Sequence, residues 1–138
     1  MIVLDCSVFI AGTLTDEKNQ RARALLKKLS EPDCKAIVPS LFFAESANVL
    51  LNALRCGRIT HNVFSRYLAT IALLPLAVDG ESLSPYQIEV VAALANRYHL
   101  SIYDAVYLEV AQRHRATLAT LDKTLAIAAE HAGVSHGW

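Results

Sequence analysis

Short apolar runs alternate along this chain with segments whose apolar residues recur at helical spacing. Four runs have the length and composition of buried strands: residues 1–4, 36–38, 76–78 and 117–121. Strands that alternate with helices favour a parallel sheet covered by helices on both faces. We therefore predict an α/β fold, specifically a three-layer α/β/α sandwich around a short central parallel sheet of four to five strands.

Turn and capping residues set the expected limits of the helices. Helices are predicted over residues 17–29, 40–55, 60–71, 84–98, 101–114 and 123–132. Pro32 and Asp33 close the first of them, and Gly57 and Gly133 follow the ends of two others. Ser40, Thr60 and Ser101 are predicted N-caps, and Val134 is expected to begin a final edge strand.

The length of 138 residues fits one domain spanning residues 1–138. The chain is 54% hydrophobic and its net charge is zero, so a partner or a second copy is expected to cover apolar surface. The longest apolar stretch, residues 67–78, falls short of the ~20 residues that span a bilayer. The N-terminus has no basic region before its apolar run, and we expect a cytoplasmic protein without membrane association.

Four carboxylates lie beside apolar runs, where an unpaired acid is costly: Asp5, Glu45, Asp104 and Asp122. Asp5 and Asp122 follow predicted strands, while Glu45 and Asp104 lie in the first turns of predicted helices. Ligands of parallel sheets bind outside the carboxyl ends of the strands, so all four acids are expected in one cleft. A divalent cation compensates several converging acids at once, and oxygen ligands suit Mg²⁺ or Mn²⁺.

Each acid also has a purely structural interpretation. Asp104 fits a capping box with Ser101, Asp122 fits an N-cap of the last helix, and Asp5 fits a carboxylate that binds loop amides. Glu45 resists this interpretation because it shares a helix face with the apolar Leu41 and Val49. One metal site explains the whole set, whereas the structural alternative must hold four times.

Taken together, the segments LDCSVFIAG, PSLFFAESANVLLNALRCGRIT and LSIYDAVYLEVAQRHRATLATLDKTLAIAAEHAGV resemble the PIN-domain family, and among its members the VapC-type toxins. The resemblance covers nearly the whole chain. It implies that Asp5, Glu45, Asp104 and Asp122 are metal-binding and catalytic. Cys6 departs from the family pattern, which more often has a small residue such as Ala or Thr there.

The resemblance further implies a Mg²⁺- or Mn²⁺-dependent endoribonuclease of a toxin–antitoxin pair, inhibited by a VapB-like antitoxin and commonly a homodimer. In the expected mechanism, Asp5, Glu45 and Asp104 hold one ion directly or through water, and Asp122 completes a second or substrate-assisted site. The ion activates a water that hydrolyses the RNA phosphodiester bond. Supporting polar residues are Ser7, Thr120 and, more weakly, Asn48.

RNA contacts need cations near the acidic cleft, and the weakly indicated residues are Arg55, Arg58, Arg113 and Lys123. An ordinary solvated helix surface also explains them. Among aromatic residues, Tyr103 and Phe9 have the chemistry to stack on a base, although a core or dimer role is the stronger expectation for both.

Three other functions fit parts of the pattern. A catalytically silent PIN-like binding module would keep the fold without the chemistry. A haloacid-dehalogenase-like phosphatase needs a second Asp where this chain has Ser7, and a receiver-like domain needs its acid on a later strand with a following Lys. Metal titration separates these functions.

Overall fold

The computed structural model describes residues 1–14, 19–31 and 33–138. The strands are β1 (Ile2–Leu4), β2 (Ala36–Pro39), β3 (Leu76–Asp79) and β4 (Thr117–Ala119). The helices are α1 (Cys6–Thr13), α2 (Gln20–Lys28), α3 (Leu41–Arg55), α4 (His61–Leu73), α5 (Ile88–Tyr98), α6 (Ile102–Arg113) and α7 (Lys123–His131).

The four strands form one parallel sheet in the order β3-β2-β1-β4. Ile2 on the central strand β1 is in register with Ala36 of β2 on one side and Thr117 of β4 on the other. The predicted α/β class and short parallel sheet are therefore confirmed. Because all strands are parallel, their carboxyl ends lie along one edge, and the residues that follow β1 and β4 emerge there side by side.

The sheet and two helices form the core. In α6, every residue from position 105 to position 111 is buried, and α1 is buried along most of its length. Phe9 of α1 and Phe42 of α3 pack edge to face with ring centroids 5.7 Å apart. These buried helices hold the beginnings of α1, α3 and α6 close to the carboxyl edge of the sheet.

Most predicted caps are correct, and one is not. Thr60 accepts a hydrogen bond from Val63 N–H, and Ser101 accepts one from Asp104 N–H. Ser40 precedes α3 as predicted but makes no side-chain capping bond, because its backbone is already helical.

Several element limits differ from the prediction. The helix α1 was not predicted, since its residues are apolar on all sides and lack an amphipathic period. Ser84 accepts from the amide of Gln87 in a turn, so α5 begins only at Ile88, four residues later than expected. The strand β4 ends at Ala119, two residues earlier than expected.

The predicted edge strand at Val134 is wrong. The segment contributes one ladder-like hydrogen bond, from Leu118 N–H to the carbonyl of Ser135, but no strand. The expected helix start at Glu17 and the closing Pro32 lie outside the described residues. Within residues 1–14, 19–31 and 33–138, no helix combines the length and apolar character that a bilayer crossing requires.

Candidate active site

Asp5 is the centre of a hydrogen-bonded group at the carboxyl end of β1. Its side chain is buried, with 6% exposed, and its Oδ2 accepts hydrogen bonds from the hydroxyls of Ser7 (2.5 Å) and Thr120 (2.6 Å). Ser7 Oγ in turn accepts from the amide of Leu121. The predicted supporting residues Ser7 and Thr120 therefore fix the orientation of Asp5, and they tie the start of α1 to the end of β4.

Glu45 lies in the second turn of α3 and reaches toward α6. Tyr107 donates its hydroxyl to Glu45 Oε2 at 2.5 Å, and the Tyr107 ring is fully buried. Tyr107 was not among the site residues predicted from the sequence. Its position three residues after Asp104 was the available signal, because residues three apart share a helix face.

Asp104 is held by the N-cap residue of its own helix. Ser101 Oγ donates to Asp104 Oδ2 at 2.6 Å and accepts from the amide of Asp104 at 3.1 Å. The capping interpretation of Asp104 is therefore correct. It is compatible with a role in the site, since the cap fixes the position of the carboxylate.

Three of the four acids interact electrostatically. Burial raises the pKa of Asp5, the hydroxyl hydrogen bonds offset part of this effect, and the negative charge of Asp104 raises the pKa further. Burial likewise raises the pKa of Glu45, with added contributions from the charges of Asp5 and Asp104. The structure thus brings Asp5, Glu45 and Asp104 together, and their mutual repulsion favours bound protons or a bound cation.

Asp122 occupies a more peripheral position. Its side chain is exposed and caps α7, accepting from Leu125 N–H at 2.8 Å. Its amide donates to Thr120 Oγ1, the same hydroxyl that donates to Asp5. Asp122 is therefore linked to the three interacting acids through Thr120, while its side chain serves as the cap that the sequence had offered as an alternative.

Cys6 is buried beside the acids and accepts a weak hydrogen bond from Ser46 Oγ at 3.5 Å. Burial raises the pKa of the Cys6 thiol to about 12, and the charges of Asp5 and Glu45 contribute. The thiol is consequently protonated at neutral pH.

The donor chemistry fits a hard divalent cation that keeps water ligands. All three interacting acids offer oxygen, the ligand type of Mg²⁺ and Mn²⁺. Across residues 1–14, 19–31 and 33–138, no three His, Cys, Asp or Glu side chains are placed to ligate one ion together. Mg²⁺ is commonly bound through one or two carboxylates and several waters, so the residues present fit a hydrated ion rather than a fully protein-ligated one.

Arg55, one of the predicted RNA-contacting cations, lies away from the acids at the end of α3. Ten residues of helix, about 15 Å, separate it from Glu45. Arg58 follows the end of α3, and Lys123, exposed in the first turn of α7, directly follows the predicted site acid Asp122 in the sequence. Asn48 is exposed one turn after Glu45.

Arg113 belongs to a second polar cluster that sequence reasoning missed. Its guanidinium donates to Glu109 Oε1 at 2.6 Å and to Asp79 Oδ2 at 2.9 Å, and both carboxylates are buried. His114 also contacts Asp79, and Gln87 donates to Glu109. The spacing of Glu109 and Arg113, four residues apart on a helix, was a usable signal.

The PIN domain family model matches residues 2–130, and the chain belongs to this family. No protein of curated function matches the sequence significantly. Membership of the family removes the haloacid-dehalogenase-like and receiver-like alternatives.

Solved structures share the fold at low sequence identity. PAE2754 from Pyrobaculum aerophilum aligns with a TM-score of 0.70 and 23% identity, over 92% of this chain and 83% of that chain. VapC20 from Mycobacterium tuberculosis, a sarcin–ricin loop cleaving toxin, aligns with a TM-score of 0.67 and 19% identity, over 93% of this chain and 95% of that chain. A toxin–antitoxin complex from Klebsiella pneumoniae aligns with a TM-score of 0.62 and 21% identity, over 91% of this chain and 90% of that chain. These likenesses concern the fold.

Proposed function

We propose that residues 1–138 form a single PIN-like nuclease domain that hydrolyses RNA with Mg²⁺ or Mn²⁺ as the toxin of a toxin–antitoxin pair. The observation that carries the proposal is the group of interacting carboxylates, Asp5, Glu45 and Asp104, on a PIN fold. Such a group binds a hard cation, and a cation so held is suited to phosphodiester hydrolysis.

In the proposed mechanism, the chain holds the cation through Asp5, Glu45 and Asp104, directly or through water, with Asp122 at a second or substrate-assisted position. When bound, the ion supplies charge neutralisation at the scissile phosphate and lowers the pKa of an attacking water. Ser7 and Thr120 keep the Asp5 carboxylate in one orientation. Expected products carry 5′-phosphate and 3′-hydroxyl ends.

Tyr107 positions Glu45 within this site. Its hydroxyl donates to Glu45 from a fully buried ring, which holds the carboxylate against the charges of its neighbours. Burial and the neighbouring Glu45 raise the pKa of Tyr107, so the phenol stays a donor at all working pH values.

The proposed partners are an RNA substrate, a VapB-like antitoxin and a second copy of the chain, in the cytoplasm. An antitoxin partner is supported by the structural likeness to a toxin–antitoxin complex. Exposed apolar side chains such as Leu73, Val78 and Val90 offer surface for such partners.

The direct test is cleavage of end-labelled RNA by antitoxin-free protein, with Mg²⁺ or Mn²⁺ against EDTA. Asp5→Asn keeps an oxygen that accepts from Ser7 and Thr120 but removes the charge, so we expect cleavage to fall about 100-fold or more. Glu130→Gln, an exposed acid near the end of α7, is the matched control and is expected to cleave like the wild type.

Two results would contradict the proposal. Undiminished cleavage by Asp5→Asn would remove Asp5 from the chemistry. Metal binding without cleavage of any structured or unstructured RNA would favour the catalytically silent binding module instead.

A further inference from the structure

Tyr103 is an exposed aromatic residue that directly precedes the site acid Asp104 in the chain. It lies in the first turn of α6, directly before Asp104, and 63% of its surface is exposed. Phe9, the other aromatic residue considered for stacking, is fully buried in the core. The structure therefore excludes Phe9 from substrate contact and removes the core alternative for Tyr103.

The backbone that carries Tyr103 is held in place. Ser101 and Asp104, two residues before and one residue after it, are joined by the pair of hydrogen bonds that caps α6. One turn further, Tyr107 joins the same helix to Glu45. The first turn of α6, which carries Tyr103, is thus tied to the carboxylates of Asp104 and Glu45.

The Tyr103 side chain makes no polar or aromatic contact with the described residues. Tyr86, Tyr98 and Tyr103 are all partly or fully outside the core, but Tyr98 lies against Arg97 in a cation–π contact. Among residues 1–14, 19–31 and 33–138, Tyr103 has neither a hydrogen-bond partner nor a ring or cation contact. With 63% of its surface exposed, the Tyr103 ring has surface available for stacking.

The charges of the site favour RNA contacts that do not depend on phosphate. The whole chain has no net charge, and the site is lined by acids that repel phosphate. Lys123 directly follows the predicted site acid Asp122 in the sequence, whereas Arg55 lies about 15 Å from Glu45 along α3. Base stacking adds affinity without requiring charge, since every base has a π-face.

We propose that Tyr103 stacks on the base of a nucleotide next to the scissile phosphate and so positions the RNA in the acidic site. This inference rests on the proposed ribonuclease function. A base can reach the ring only when it is unstacked from its neighbours.

The test compares steady-state cleavage of one short unpaired RNA by three variants. Tyr103→Ala is expected to raise KM about 5- to 150-fold with a smaller change in kcat, the range typical of one lost base–aromatic stack. Tyr103→Phe keeps the ring and is expected to stay within about twofold of the wild type. Tyr86→Ala is the matched control, because Tyr86 is 91% exposed in the segment between β3 and α5.

A second readout reports stacking without catalysis. RNA carrying 2-aminopurine is titrated with the Asp5→Asn protein and with the Asp5→Asn, Tyr103→Ala double variant. The stacked base should lose fluorescence with the first protein and lose much less with the second. A merely structural role of Tyr103 would not move this signal, and circular dichroism of the double variant checks that it folds.

The outcomes separate the two proposals. Equal KM values and equal quenching with and without the Tyr103 ring would overturn the stacking role and leave the nuclease standing. Absence of metal-dependent cleavage by the wild type would overturn the nuclease, and the stacking role with it.

Discussion

Asp5 combines burial, two hydroxyl donors and a neighbouring negative charge, and these influences oppose each other. The hydrogen bonds from Ser7 and Thr120 favour the ionised form, whereas burial and Asp104 disfavour it, and the net effect is a raised pKa. In the metal-free protein the ionised Asp5 side chain therefore destabilises the folded state. A group whose pKa is raised on folding destabilises the folded state at pH values where it must ionise.

This balance predicts that Asp5→Asn does not lower the melting temperature of metal-free protein at about pH 7.5. The amide oxygen can accept both hydroxyl hydrogen bonds, and the buried charge is gone. The measurement is thermal unfolding of the wild type and of both Asp5 variants in EDTA. Asp5→Ala leaves the hydroxyls of Ser7 and Thr120 without their acceptor, so its melting temperature should be lower than that of the wild type.

Addition of Mn²⁺ should then raise the melting temperature of the wild type but not of Asp5→Asn. A drop of several degrees for Asp5→Asn in EDTA would show that the charge itself stabilises the fold, contrary to the raised pKa.

At this scale, sequence reasoning found the acids and their hydroxyl neighbours but not the tyrosine. Asp5, Ser7 and Thr120 were identified from their positions beside strand ends, and the structure places them in contact. The bond from Tyr107 to Glu45 joins residues 62 positions apart, and such a pairing depends on how α3 and α6 pack. The local pattern places Tyr107 on the same helix face as Asp104, but it does not identify Glu45 as the hydrogen-bond partner.

The helices α1 and α2 approach each other closely at Gly12. A Cβ at Gly12 would lie 2.6 Å from Leu26 Cδ1 and 3.1 Å from the carbonyl carbon and oxygen of Ala22. The leucine side chain can rotate away, but the Ala22 carbonyl belongs to the backbone of α2 and cannot move alone. Gly12 therefore sets the distance between the two helices.

We expect Gly12→Ala to lower the free energy of unfolding by about 1–3 kcal/mol through overpacking. Urea denaturation measures the change. Gly80→Ala is the control, since nothing lies within 4 Å of its Cβ position and its φ is not positive, and it should be near neutral. If Gly12→Ala had the same free energy of unfolding as Gly80→Ala, then α1 and α2 could move apart without loss of stability.

Amphipathic helices were predictable, whereas the mostly apolar α1 was not. The helices α3, α4 and α7 have one apolar side, and their predicted limits agree with the structure to within a few residues. In contrast, α1 has only Ser7 and Thr13 as polar side chains and is separated from β1 by one residue, so its sequence has no period that separates it from a strand.

Across the whole molecule, Asp79 joins the edge strand β3 to the end of α6. Burial raises the pKa of Asp79, but hydrogen bonds from His114, from the amide of Ser82 and from Arg113 outweigh it and lower the pKa to about 2. An acid with a lowered pKa contributes stability above its unfolded value, here 3.8, and loses it as the pH falls toward 2.

The corresponding prediction concerns the Asp79→Asn variant. At about pH 5 it should be less stable than the wild type by roughly 2 kcal/mol, and the gap should narrow as the pH falls from about 4 to about 2. Urea denaturation at several pH values measures the gap. A gap that stays constant over this range would show that the charge of Asp79 is not what stabilises the contact.

The hydrogen bond from Thr120 to Asp5 spans 115 positions of sequence, and β1 receives its partner β4 only from residues 117–119. During translation, Asp5 is synthesised 115 residues before Thr120. The carboxylate is then without one of its two orienting hydroxyls and without a neighbouring strand on one side. Under the proposed function, a growing chain therefore lacks a complete site until residue 120 has been synthesised and has folded against β1.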